Sequence, residues 1–92
     1  MEITDKTHEI FIIAKCGLVS MTGDKHIYVC SNGDLIFFYP ALNVLRLHKV
    51  TERDTEHNMP IVNTKTFESE WKVNNNEDVE MALEMITGNI KD

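Results

Sequence analysis

The residues best suited to binding a metal are two cysteines and two histidines in the first third of the chain. Cys16, His26 and Cys30 could form a zinc site with His8 as a fourth ligand, if neighbouring strands brought them together. Their spacing matches no zinc signature, and cysteine often fills apolar cores. We therefore expect no metal and no other cofactor. Because the chain does not begin with the basic and apolar stretch of an export signal, both thiols are expected to stay reduced.

A second polar cluster consists of Asp54, Glu56 and His57. Acid–base catalysis requires such groups to be held in a cleft with a shifted pKa, whereas this segment has no apolar period and is typical of a solvated loop. The sequence also contains none of the common phosphate-binding, nucleophile-elbow, metalloprotease or Cys-x-x-Cys motifs. We expect no catalytic residue and no enzymatic activity.

Negative charge is concentrated in the second half of the chain. Residues 1–51 contain five acidic and five basic residues, whereas residues 52–92 contain ten acidic and four basic residues, which gives the whole net charge of -6. Binding to nucleic acid depends on cations that neutralise phosphates, so direct nucleic-acid binding is disfavoured. An acidic surface instead attracts basic patches on other proteins.

A predicted C-terminal helix positions part of this negative charge. Asn74–Asn76 can cap the start of the helix, and Glu77 and Asp78 then lie in its first turn, where carboxylates favour the helix dipole. An apolar stripe at helical spacing follows, formed by Val79, Leu83, Ile86 and Ile90. Gly88 is the expected C-terminal stop.

The candidate partner-binding residues lie on the same helix, outside its apolar stripe. They are Glu77, Glu80, Glu84, Met81 and Met85. The three glutamates form an acidic flank that could face a basic site. Met81 and Met85, spaced i and i+4, could contact an irregular partner surface or be covered by other strands or a second subunit. The sequence leaves these two alternatives open.

The clearest local signal is a β-hairpin. Apolar strands over His26–Cys30 and Leu35–Tyr39 flank an Asn32-Gly33 pair, which is favoured in type I′ turns because both turn residues have positive φ. Both strands are apolar on both faces. We therefore expect the hairpin to lie centrally in a sheet that is covered on each side.

The elements before and after the hairpin are less clearly marked. Residues 1–8 form a polar lead-in, and the β-branched and aromatic residues of Glu9–Met21 favour a strand. A helix capped by Thr7 and ended by Gly17 is the alternative.

Beyond the hairpin, the alternation over Leu42–Val50 predicts another strand, although Pro40 could instead begin a short helix. Thr51–Met59 is predicted to be an exposed charged loop, and Pro60–Val73 a strand with one solvated side.

Strands followed by one helix indicate an α+β fold, in which a C-terminal helix packs on one face of an antiparallel sheet of four or five strands. The length of the chain predicts that residues 1–92 form a single domain. Glu70–Asp78, which joins the last strand to the helix, resembles the tail of pleckstrin-homology-like domains. That resemblance implies the same ending of the fold. Phosphoinositide-binding members use a basic turn, whereas Met21–Lys25 has one lysine, so the resemblance does not imply lipid binding.

These features indicate a small acidic, non-enzymatic protein-interaction module in the cytoplasm, monomeric or homodimeric, with no membrane partner. Its carboxylate-rich face would bind the basic, nucleic-acid-binding site of a larger protein. A phage-encoded inhibitor would have this size and charge, and the composition, rich in Ile, Asn and Lys but poor in Arg, is typical of AT-rich genomes. The alternative is a small-molecule or nucleotide-binding protein with a pocket at a sheet edge or dimer interface, where Arg46 and His48 could hold an anion.

Overall fold

A computed structural model of the chain describes residues 1–49 and 67–88 in full, together with the backbone of residues 52–54 and 59–61. The helices and strands, in chain order, are α1 (Asp5–Ile13), β1 (Gly17–Met21), β2 (His26–Val29), β3 (Leu35–Tyr39), β4 (Val44–His48), β5 (Glu52–Asp54), β6 (Met59–Ile61), β7 (Ser69–Lys72) and α2 (Asn76–Thr87). A short 3-10 turn, Pro40–Leu42, links β3 to β4.

Five of the strands form one antiparallel sheet in the order β1-β2-β3-β4-β7, and β5 pairs with β6 in a separate two-stranded sheet. Both helices contribute buried side chains to a core that they share with one face of the large sheet, which we call the inner face. The predicted α+β fold, with a C-terminal helix packed on an antiparallel sheet, is therefore confirmed.

The predicted hairpin is β2–β3, and it occupies the centre of the sheet as expected. Val29 pairs with Leu35 at the turn. The turn itself is not type I′, because only Gly33 has a positive φ (94°) and its N–H donates to the Cys30 carbonyl at 2.9 Å. This is the geometry of a three-residue loop with glycine in the left-handed region.

The prediction of a strand over Glu9–Met21 was wrong for its first part, and residues 1–8 are not merely a lead-in. A helix begins at Asp5 and ends at Ile13, and Lys15, with a φ of 62°, turns the chain into β1. The buried positions show the reason, since Thr7, Ile10, Phe11 and Ala14 follow the spacing i, i+3, i+4, i+7 of one helix face. Burying this face against the sheet outweighs the β propensity of the neighbouring isoleucines.

The segment between β4 and α2 also differs from the prediction. Glu52–Asp54 forms a strand rather than part of a charged loop, although residues 55–58 lie outside the described residues. The single strand predicted over Pro60–Val73 is not formed, because β6 and β7 belong to different sheets. The side chains of Asp54, Glu56 and His57 lie outside the described residues.

One contact joins the two helices to each other, and another joins α1 to the sheet. The Thr7 hydroxyl, near the start of α1, donates to Asn76 Oδ1 at the start of α2 at 2.7 Å. The Phe11 ring stacks on Tyr28 of β2, with ring centroids 3.7 Å apart. The helices consequently begin at the same end of the inner face.

Candidate interaction surface

Helix α2 forms where the sequence predicts it, and its ends carry the expected caps. The Asn75 side chain accepts a hydrogen bond from the Asp78 N–H at 2.9 Å, and Asp78 in turn accepts from the Asn74 N–H at 3.0 Å. At the other end, Gly88 adopts the left-handed conformation, and its N–H donates to the Glu84 carbonyl. These local contacts fix where the acidic helix starts and stops. Ile90 lies outside the described residues.

The packed side of α2 determines which residues face solvent. Val79, Ala82 and Leu83 are buried, and Ile86 is half-buried against the same core. A helix turns by about 100° per residue, so Glu77, Met81 and Glu84 lie opposite the packed side, with Glu80 and Met85 on the two flanks. All of these residues are exposed except Glu84, which is half-buried. We call these five residues the α2 surface.

The two methionines of the α2 surface are exposed. Met81 is 63% and Met85 73% accessible to solvent, so within the described part of this chain no strand covers them. Contact with a partner protein and cover by a second subunit both stay predictions for these two side chains. These exposed thioethers, at i and i+4, lie beside the exposed Glu77 and Glu80 and form a mixed apolar and acidic surface with them.

Glu80 also borders a groove between the two helices. This groove has a volume of about 130 Å³ and is lined by Lys6, Ile10, Ile13 and Glu80. Lys6 places one positive charge beside this edge of the α2 surface.

Arg46 and His48, the alternative ligand-binding pair, are already engaged by the protein. Arg46 Nε donates to Glu70 Oε2 at 2.7 Å, and the guanidinium lies over the rings of Tyr39 and Phe67. His48 is buried on the same face of the sheet. Since the cation already has a carboxylate partner and the imidazole is inaccessible, this geometry gives no support to an anion site there.

The four residues considered as zinc ligands fall into two separate pairs. Cys16 and Cys30 interact through their side chains. His8 stacks on His26, with ring centroids 6.3 Å apart. His26 and Cys30 are four residues apart on an extended strand, a separation of roughly 13 Å. No group of three or more His, Cys, Asp or Glu residues close enough to share a metal occurs in the described part of the chain.

One exposed feature is not predicted by the sequence pattern, namely the apolar edge formed by β1. Every residue of β1 is exposed, including Leu18, Val19 and Met21, and Ile12 of α1 is exposed as well. The strand prediction placed Ile12 inside a core strand. The helical spacing of Thr7, Ile10 and Phe11 was the signal that would have placed Ile12 on the outside.

Comparisons with protein-family models, curated proteins and solved structures found no match. The resemblance of Glu70–Asp78 to pleckstrin-homology-like domains consequently gains no support from related proteins. Within residues 1–49 and 67–88, no helix has the length and apolar character needed to cross a membrane.

Proposed function

We propose that this protein is a non-enzymatic interaction module that binds a basic site on a larger protein through the α2 surface. The observation that carries the proposal is the exposure of Met81 and Met85 next to Glu77, on a helix whose opposite side buries Val79, Ala82 and Leu83 in the core. The packing and the caps hold the helix rigid, so little ordering entropy is lost when a partner binds.

The two kinds of side chain have different roles in this proposal. The glutamates attract a positively charged site over a distance and therefore act mainly on the association rate. The methionines supply apolar contact area that adapts to an irregular surface, and they act mainly on the dissociation rate. A surface of this kind fits a site that otherwise binds a polyanion such as nucleic acid. A phage-encoded inhibitor that blocks a host nucleic-acid-binding enzyme is the specific form that we propose.

The test begins with partner capture and ends with a matched charge comparison. Wild-type protein is used as bait in the native host, and co-eluting proteins are identified by mass spectrometry. Binding of the purified partner is then measured for a variant with Glu77→Lys, Glu80→Lys and Glu84→Lys. The control variant carries Glu2→Lys, Glu9→Lys and Glu68→Lys, which are exposed glutamates outside α2. Both variants change the net charge equally.

We expect the α2 variant to associate at least tenfold more slowly, while the control retains most of its binding. Wild-type binding should weaken as salt increases, and duplex DNA or heparin should compete for the partner. Met81→Ala and Met85→Ala should mainly increase the dissociation rate. If the two charge variants lost partner binding to the same extent, binding would depend on net charge alone and not on the α2 surface. Full binding by a folded α2 variant would exclude the α2 surface.

A further inference from the structure

Two buried thiols face each other across β1 and β2. In the antiparallel register, Gly17 is opposite Val29 and Leu18 is opposite Tyr28, so the next pair outward is Cys16 and Cys30. Both cysteines are buried and both are free thiols. Opposing residues in such a ladder have Cα atoms roughly 4.5–5.5 Å apart, which lies within the range of about 4.4–6.8 Å found in disulfides.

The two cysteines are almost equally buried, 5% exposed for Cys16 and 7% for Cys30, and they differ in their position relative to a cleft. Cys30 lines a cleft of about 110 Å³ at the C-terminal end of α2, together with Ser31, Asn32, Ile86 and Thr87. Cys16 is not among the residues that line this cleft, and its Sγ lies 3.7 Å from the Ala14 carbonyl. A small reagent that enters this cleft therefore meets Cys30 first.

We infer that Cys16 and Cys30 are a reversible thiol–disulfide site, with Cys30 as the attacking thiol and a small-molecule disulfide as the oxidant. The inference rests on the strand register and the cleft, and it does not depend on the α2 surface. The two thiols were expected to stay reduced because the sequence does not begin with an export signal. Their positions opposite each other in the fold instead allow them to form a disulfide.

The reaction proceeds in two exchanges. The Cys30 thiolate attacks one sulfur of the small disulfide, forms a mixed disulfide at Cys30 and releases one thiolate, which takes up the proton that Cys30 lost. The Cys16 sulfur then attacks Cys30 Sγ, releases the second small thiol and transfers its own proton to it. Two electrons pass from the dithiol to the oxidant, so one small disulfide yields two small thiols and the Cys16–Cys30 bond.

The electrostatic surroundings agree with this order of events. The hydrogen bond with Cys16 lowers the pKa of Cys30, and Lys49 adds to this effect, although burial and Asp34 oppose it. The same hydrogen bond, together with burial, raises the pKa of Cys16. Cys30 is thus the thiol that more readily becomes the nucleophilic thiolate.

The test uses the purified full chain and oxidised glutathione under native conditions, followed by intact-mass measurement, thiol titration and melting. The wild type should lose two hydrogen atoms and retain no glutathione. Its melting temperature should rise by roughly 10–20 °C, because the bond closes a short loop of residues 16–30. Reduction with dithiothreitol should reverse both changes.

Two single variants assign the roles of the thiols, and circular dichroism checks that each is folded. Cys16→Ala should retain one glutathione at Cys30, because no second thiol resolves the mixed disulfide. Cys30→Ala should react at Cys16 at least tenfold more slowly. Retention of both thiols by the wild type would overturn the inference. The inference would also be overturned by a stable glutathione adduct on the wild type or by a lower melting temperature after oxidation. Equal rates of reaction with oxidised glutathione in the two variants would contradict the role of Cys30.

Discussion

Replacing Phe11 with alanine tests the element that local sequence propensity misassigned. The Phe11 side chain is 0% exposed, stacks on Tyr28 and also contacts Phe38 at a ring-centroid distance of 5.9 Å. Truncation of a buried phenylalanine costs about 3–5 kcal/mol, which includes the cavity that it leaves. A domain of this length has a free energy of unfolding of about 5–14 kcal/mol in total. We therefore expect Phe11→Ala to lose a large part of the stability.

The adjacent residue provides the matched control. Ile12 is 70% exposed, so Ile12→Ala should change the free energy of unfolding by less than about 0.5 kcal/mol. A helix places Ile10 and Phe11 on the same buried side, whereas a strand would place Ile10 with Ile12. The comparison of these neighbours therefore distinguishes the two structures directly.

The measurement is urea denaturation followed by circular dichroism at 25 °C, with Phe11→Leu included in case the alanine variant does not fold. Phe11→Leu should cost about 1–3 kcal/mol. The reasoning would be refuted if Ile12→Ala were as destabilising as Ile10→Ala while Phe11→Leu were tolerated. That pattern would show alternating burial and hence a strand.

Three further outcomes are expected. Leu83→Ala should lower the free energy of unfolding by about 2–5 kcal/mol in urea denaturation, because Leu83 is buried. Met85→Ala, at an exposed position, should lower it by less than about 0.5 kcal/mol. Similar values for the two variants would contradict the packing of α2. Gly33→Val should cost about 1–3 kcal/mol because valine resists a φ of 94°, and an unchanged melting temperature would count against the turn geometry. Burial and the nearby His8 lower the pKa of His26 from its ordinary value of 6.5. Below about pH 7 the unfolded chain therefore binds more protons than the folded chain. Acidification through this window should therefore reduce the unfolding free energy, and His26→Leu should weaken that dependence; an identical pH profile would show that His26 is not responsible.

Local contacts explain the parts of the structure that the sequence predicts correctly. The β2–β3 hairpin and the ends of α2 depend on neighbours a few residues away, such as Gly33 with Cys30 and Asn75 with Asp78. Signals of this kind are present in any short window of the sequence. The acidic character of α2 and the position of its apolar stripe are visible for the same reason.

Tertiary contacts decided what the sequence left open or misassigned. Helix α1 forms because Phe11 can be buried on Tyr28, a contact between residues far apart in the chain. The exposure of Met81 depends on which elements pack beside α2, and the pairing of Cys16 with Cys30 depends on the register of two strands. Local propensity alone cannot encode such choices, because each is set by the free energy of burying one element against another.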